Sequence, residues 1–211
     1  MQQAILDTWF EQVSQPYLVL GYGSLMSADS RQRFSEIQVP GLPVMVEGFY
    51  RAWVTRSETE QQTYVGAIAE RGASLNAQLI PASIDPALED REKDYRFVPV
   101  SLASVDFSLP AEQARALGDW LSEKTLFICE TLDSQPADTS FPVSQTYIDT
   151  CLAGCLEHGG TGEARRFIQT TRGWQHPRRQ DRDRPYYPRA AHVAPAVLQQ
   201  IDALLSGAGG A

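Results

Sequence analysis

The sequence predicts an α+β fold: strands curled into a small β-barrel, with helices and a helical C-terminal extension. Three observations predict it. β-branched and aromatic strand-like runs dominate the first half of the 211 residues, helical periodicity dominates the second, and no internal repeat joins the two. The expected division is a barrel domain over residues 1–108 and a mainly helical extension over 109–211 packed on it.

The elements follow in order. "MQQAILDTWFEQV" predicts a short amphipathic helix, with Leu6, Trp9, Phe10 and Val13 on one side. It has no basic start and no long apolar core, so it does not read as a secretion signal. Pro16 separates it from a strand at Tyr17–Leu20. "SADSRQRF" has helix-start chemistry, with Ser27 or Asp29 as N-cap. "LPVMVEGFYRAWVTRS" reads as a strand in which Gly48 marks a bulge or kink. "TYVGAIAE", Arg71–Gly72 and "SLNAQLIPAS" read as strand, tight turn and strand. Asp85–Pro86 opens a helix running to about Asp94. "YRFVPVSLASVDFSL" returns to strand. "PAEQARALGDWLSE" is helical, "TLFICETL" a strand, and "PVSQTYIDTCLAGCLEHG" a helix stopped at Gly159–Gly160. "GEARRFIQTT" and "APAVLQQIDALLS" are further helices. Between them "RGWQHPRRQDRDRPYYPRAAHV" has no periodicity and reads as an extended segment on the surface.

Composition narrows the function classes. No apolar run approaches the ~20 residues of a membrane helix. Cys129, Cys151 and Cys155 are too few and too odd for a disulfide framework and suit a reducing, cytoplasmic setting. Cys151 and Cys155 share a helix face, but with three histidines in the chain they read as buried apolar side chains, and no metal site is expected. The net charge of −8 speaks against nucleic-acid binding. It is unevenly spread: Glu163–Arg189 carries eight arginines and a net +5, leaving −13 elsewhere. The arginines either bind an anion or tie the extension to the acidic body.

Two short segments carry chemistry. In "LVLGYGSLMSAD", Gly21 and Gly23 bracket Tyr22 at the end of a strand, and glycines there imply that a backbone or a ligand comes close. No Gly-Lys-Ser/Thr follows, and Met26 stands where a dinucleotide fingerprint needs glycine. What remains is either a bulge at a barrel corner or a nest in which amides around Gly23–Leu25 and the Ser24 hydroxyl hold a small carboxylate. In "LEDREKDYRFVPV", Leu88, Glu92 and Tyr95 share one helix face, so Glu92 sits among apolar residues while Glu89, Asp90, Lys93 and Asp94 point elsewhere. Glu92 is then either ion-paired with Arg51, Arg56 or Arg91, or a general base with its pKa raised toward ~6–7.

Taken in order, "GYGSLM" and "LEDREKDYRFVPV", about seventy residues apart, resemble the γ-glutamylcyclotransferase-like (AIG2-like, ChaC-like) superfamily. "VEGFYRAW" and "GASLNAQLI" between them are similar to its second strand and to the strand before its catalytic helix. The resemblance spans Tyr17 to Ser101. It departs at Glu89, where the family has aspartate, and at Ala77 beside Asn76, where a glycine is common. The part beyond about Pro110 lies outside the core family and resembles segments of longer bacterial and plant members.

The resemblance implies a compact mixed barrel, no metal, no cofactor, and release of 5-oxoproline from a small γ-glutamyl compound by attack of its α-amine on the γ-carbonyl. It implies that Tyr22, Gly23, Ser24 and Leu25 form the substrate loop, that Glu92 is the catalytic acid/base and that Tyr95 lines the pocket. One glutamate is expected to do both proton transfers, since no second carboxylate stands out. Tyr186 and Tyr187 read as packing residues rather than substrate contacts. Two other readings stay open: a non-catalytic member that binds a small carboxylate through the same loop, and an interaction or nucleic-acid-binding protein using the Arg/Tyr-rich segment. The leaving group (glutathione, a γ-glutamyl amino acid or a γ-glutamylamine) and the oligomeric state stay open too.

Overall fold

A computed structural model of the chain describes residues 2–35, 37–82, 92 and 94–208. The first helix, α1 (Gln2–Gln12), buries Leu6 and Trp9, and Val13 just beyond it is buried too. Phe10 lies at the edge of that face, its ring 5.7 Å from Trp120. After Pro16 the chain enters β1 (Tyr17–Gly21), whose Leu18, Val19 and Leu20 are fully buried. A 3₁₀ turn (Ser24–Met26) leads into α2 (Ala28–Ser35). Ser27 caps that helix, its Oγ accepting from the Ser30 amide at 3.3 Å.

Two long strands form the frame, β2 (Leu42–Ser57) and β3 (Gln62–Pro81), antiparallel and joined by a turn at residues 58–61. The turn expected at Arg71–Gly72 is not a turn: β3 runs through it as one strand. Glu47 faces Ser74 and Phe49 faces Ala69, so the extra residues of β3 form a bulge opposite Gly48, with φ +88° at Gly48 and +82° at Gly72. A bulge and a tight turn both need glycine at positive φ, and long-range register decides between them.

Four further strands follow: β4 (Tyr95–Val100), β5 (Val105–Asp106), β6 (Thr125–Thr131) after helix α3 (Ala111–Leu121), and the two-residue β7 (Val143–Ser144). The long helix α4 (Gln145–Gln169) breaks at Gly160, where φ is 61° and ψ −155°, in line with the stop expected there. The segment after it contributes two short strands, β8 (Thr171–Arg172) and β9 (Arg178–Arg179), before α5 (Pro195–Ala208).

The main sheet has the order β4-β6-β1-β3-β2-β5, with β8 beside β2, while β7 and β9 form a separate pair. β6 lies between β1 and β4, parallel to β1, so the sheet takes strands from both sides of residue 108. It also meets β3 at Ala67↔Glu130. That second contact curls the sheet into a half-barrel. This is the α+β, curled mixed architecture expected from the sequence. α4 packs on it through Ile148, Cys151, Leu152 and Cys155, all fully buried. The helix expected at Asp85–Asp94 lies outside the described residues except for Glu92 and Asp94.

Candidate active site

β1 ends where β3 and β6 converge, and Tyr22 fills the gap. Its hydroxyl donates to the Cys129 carbonyl of β6 and accepts the Ala67 amide of β3 at 3.0 Å. Burial above all raises the Tyr22 pKa, so the hydroxyl stays protonated. The Tyr22 carbonyl accepts from Arg51 Nη1 at 2.9 Å. The peptide is planar and trans, so the Gly23 amide points away from that guanidinium.

Two buried arginines hold this loop. Arg51 is 0% exposed. It donates from Nε to Thr171 Oγ1 (2.7 Å), from Nη1 also to the Asn76 carbonyl (2.9 Å), and from Nη2 to Asn76 Oδ1 (2.6 Å), Thr170 Oγ1 (3.0 Å) and the Phe167 carbonyl (3.2 Å). The Phe167 ring stacks 3.6 Å from it. Burial pulls its pKa down to about 10, which leaves it charged at neutral pH. Arg31, also buried, donates from Nη1 to the carbonyls of Leu25 (2.5 Å) and Met26 (2.9 Å). Within the 3₁₀ turn Met26 N reaches Gly23 O and Ser27 N reaches Ser24 O. The amides that open such a turn have no partner inside it.

Gly23 has a specific neighbour. A Cβ there would stand 2.7 Å from the Tyr147 hydroxyl and 3.0 Å from Val65 Cγ2. The close approach implied by the glycines is therefore made first by a tyrosine of α4. At Gly21 a Cβ would collide with Ile80 and Leu25 at 2.7 Å.

A cavity of about 130 Å³ opens above the loop. Its walls include Tyr22, Gly23, Ser24, Leu25, Glu92 and Tyr95, so the structure brings together all six residues singled out in the sequence. Glu92 is half-buried just before β4, where its carbonyl accepts the Tyr95 amide at 2.9 Å. Tyr95 donates its hydroxyl to the Val65 carbonyl at 2.8 Å. Of the arginines considered as ion-pair partners for Glu92, Arg51 is engaged with the loop as above, and Arg56 pairs with Asp138 at 2.5 Å. Arg91 lies outside the described residues.

Other walls of the cavity were not foreseen in the sequence. Glu60 and Asp94 line it, so Glu92 is not the lone carboxylate there. Tyr64, Tyr147 and Tyr187 line it as a cluster, with ring centroids 4.8–5.6 Å apart. Tyr187, expected to be packing, is both buried and part of the wall. Glu60 accepts the Tyr64 hydroxyl and pairs with Arg189 at 3.5 Å. Among the described lining residues Arg189 is the one cation. Four other arginines of this Arg-rich segment are engaged elsewhere or exposed: Arg172 pairs with Glu70, Arg182 with Asp149 and Asp202, Arg178 donates to the Trp174 carbonyl, and Arg184 is exposed. Burial pushes Cys151 up to about 12 and Cys155 upward as well, so both are protonated thiols at neutral pH. Among the described residues no group of three His, Cys, Asp or Glu could hold a metal ion, and no helix is long and apolar enough to cross a membrane.

The curled half-barrel is the γ-glutamylcyclotransferase-like fold. One similar solved structure is a γ-glutamyl cyclotransferase, with a TM-score of 0.52 and 13% identity over 89% of this chain and 98% of that one. An uncharacterized Homo sapiens protein is alike at 0.52 and 13%, over 88% of this chain and 97% of its own. YkqA from Bacillus subtilis matches at 0.52 and 14%, over 83% of this chain and 60% of that longer one. No family model and no curated protein matches the sequence. At these identities the likeness is one of fold.

Proposed function

We propose that the chain is a γ-glutamyl cyclotransferase with Glu92 as its acid/base. The observation that carries this reading is the convergence of Glu92 and the Tyr22–Leu25 loop on one cavity in this fold. A γ-glutamyl group holds its own nucleophile, so the protein's task is to fold the substrate and move one proton. The α-amine attacks the γ-carbonyl and closes the five-membered lactam. The bond from the γ-carbon to the leaving nitrogen breaks. Glu92 takes the proton from the amine and returns it to that nitrogen. Ser24 and the loop amides hold the substrate α-carboxylate or the developing oxyanion. The chemistry asks for no cofactor.

The test is 5-oxoproline release from glutathione, γ-glutamyl-alanine and γ-glutamyl-lysine in parallel. Glu92→Gln is expected to lose on the order of 10²–10⁴-fold in turnover while keeping ligand affinity. Release that survives Glu92→Gln would remove Glu92 from the chemistry. Binding without release from any of the three would favour the non-catalytic carboxylate-binding reading.

A further inference from the structure

The arginines between Arg172 and Arg189 differ in how far their guanidinium forks are filled. Arg172 meets Glu70 fork to fork, at 3.0 and 2.5 Å. Arg182 holds Asp149 at 2.7 and 2.8 Å and Asp202 at 2.9 and 2.7 Å, so two carboxylates share one guanidinium. Arg189 is different. Its ion pair with Glu60 is long, at 3.5 Å, and its buried Nε has no hydrogen-bond partner. Tyr187 touches it through ring and hydroxyl. Its side chain keeps 24% exposure, at the cavity wall.

The backbone presents this side chain rigidly. Ser30 Oγ donates to the Arg189 carbonyl at 3.0 Å and Arg33 Nη1 to the Ala190 carbonyl at 3.2 Å. The Ala191 amide reaches Thr150 Oγ1 at 3.0 Å and the His192 amide Asp29 Oδ2 at 2.8 Å. The segment is thus pinned to α2 and α4, and it holds at the cavity wall a guanidinium whose ion pair is long and loose. A planar guanidinium with open donors in a partly water-excluded site matches one ligand group best, a second carboxylate.

We infer that Arg189 is a specificity-determining residue that receives a carboxylate on the leaving group, so that the preferred substrates are γ-glutamyl amino acids or peptides rather than γ-glutamylamines. The inference rests on the proposed cyclotransferase reading. Every γ-glutamyl compound carries the α-carboxylate that the loop accounts for; the leaving group is where candidates differ. In a γ-glutamyl amino acid that second carboxylate is two bonds from the scissile nitrogen. Anchoring it fixes the atom that must take the proton from Glu92, whose charge is close enough to act on Arg189.

γ-Glutamyl-alanine and γ-glutamyl-ethylamide differ only by this carboxylate, and they are the probes. The wild-type protein is expected to favour the alanine compound roughly 10–100-fold in kcat/KM. Arg189→Gln should collapse that ratio toward one, mainly through KM, and Arg189→Lys should restore part of it as a charge without the fork. An unchanged ratio in Arg189→Gln overturns the inference. So does an equal loss on both compounds, which would mean that Arg189 serves the shared α-carboxylate or the fold. Calorimetric binding of both probes to wild-type and Arg189→Gln proteins separates the two claims. Arg189-dependent discrimination in binding with no 5-oxoproline released overturns the cyclotransferase reading and keeps the carboxylate site. Release without discrimination overturns the carboxylate site alone, and absence of both binding and release overturns both.

Discussion

Arg51 and Arg189 place the same guanidinium in two different kinds of surroundings. Arg51 has no exposure and six acceptors, three of them main-chain carbonyls, with an aromatic ring on its face. Arg189 has one long ion pair, an unfilled Nε and a cavity in front of it. A saturated fork cannot take another ligand without losing a bond it already has. An unsaturated one gains from a ligand. Arg51 therefore supports the loop from behind, and Arg189 waits for an anion, although both are arginines contacting the same site.

The largest effect that tests this contrast is Arg51→Met. The change fills much of the volume but strands the acceptors on Tyr22, Asn76, Phe167, Thr170 and Thr171. Stranded buried acceptors cost about 1–3 kcal/mol each before relaxation, so a loss on the order of 4 kcal/mol is expected. For a chain of this size that is about 10 °C in Tm. Arg189→Gln, at a partly exposed and weakly paired position, should stay within about 1 kcal/mol of wild type. Thermal melts of the two variants side by side are the check. Equal losses would mean that the two arginines do the same structural job.

The residues legible in the sequence are those whose clue is local. Gly21 and Gly23 interrupt a strand pattern within three positions, and Glu92 stands out within the eight-residue sequence pattern from Leu88 to Tyr95. Residues whose clue is a distant partner were not legible. Glu60 sits in "SETEQQ", which has the composition of any solvated turn, and reaches the cavity because β2 and β3 are long enough to carry their turn there. Tyr147 looks like one more apolar position of α4 until the Gly23 backbone is beside it. Tyr187 and Arg189 come from a segment without periodicity, placed by bonds to the side chains of Ser30, Asp29 and Thr150 that each span 41 or more positions. The place of β6 beside β1 is a matter of topology, and parallel pairing across more than a hundred residues leaves no local trace.

Arg31 is a third guanidinium at the loop, buried like Arg51 but with an unpartnered Nε, and it has a histidine for a neighbour. Burial, and then the Arg31 charge, lower the His158 pKa to about 4. His158 lies 3.7 Å from Glu157, but a neutral imidazole makes no ion pair at pH 7. The unfolded chain takes the proton first, near pH 6.5, so the folded state loses stability as pH falls from about 6.5 to about 4. The loss is up to about 3 kcal/mol. Glu157, raised by its own burial, acts in the opposite direction, so the comparison has to be with His158→Gln. Urea unfolding at pH 7 and pH 4.5 should show a smaller drop in the variant than in wild type. Equal drops would mean that His158 is not held neutral by its burial beside Arg31.

The smallest effect concerns Tyr22, where lining the cavity and belonging to the frame are easily confused. Its hydroxyl proton is committed to the Cys129 carbonyl, and its oxygen accepts the Ala67 amide. If the hydroxyl belongs to the frame, as with Arg51, Tyr22→Phe leaves a buried N–H and a buried C=O without a partner. The expected loss is about 1–2 kcal/mol, or roughly 2–8 °C in Tm. KM for γ-glutamyl-alanine should then stay near the wild-type value, because the ring that lines the cavity is still there. A raised KM with an unchanged Tm would be the opposite signature, that of a donor to the substrate. Tyr22 would then stand with Arg189 on the receiving side, and the hydroxyl would have to leave Cys129 when the ligand enters.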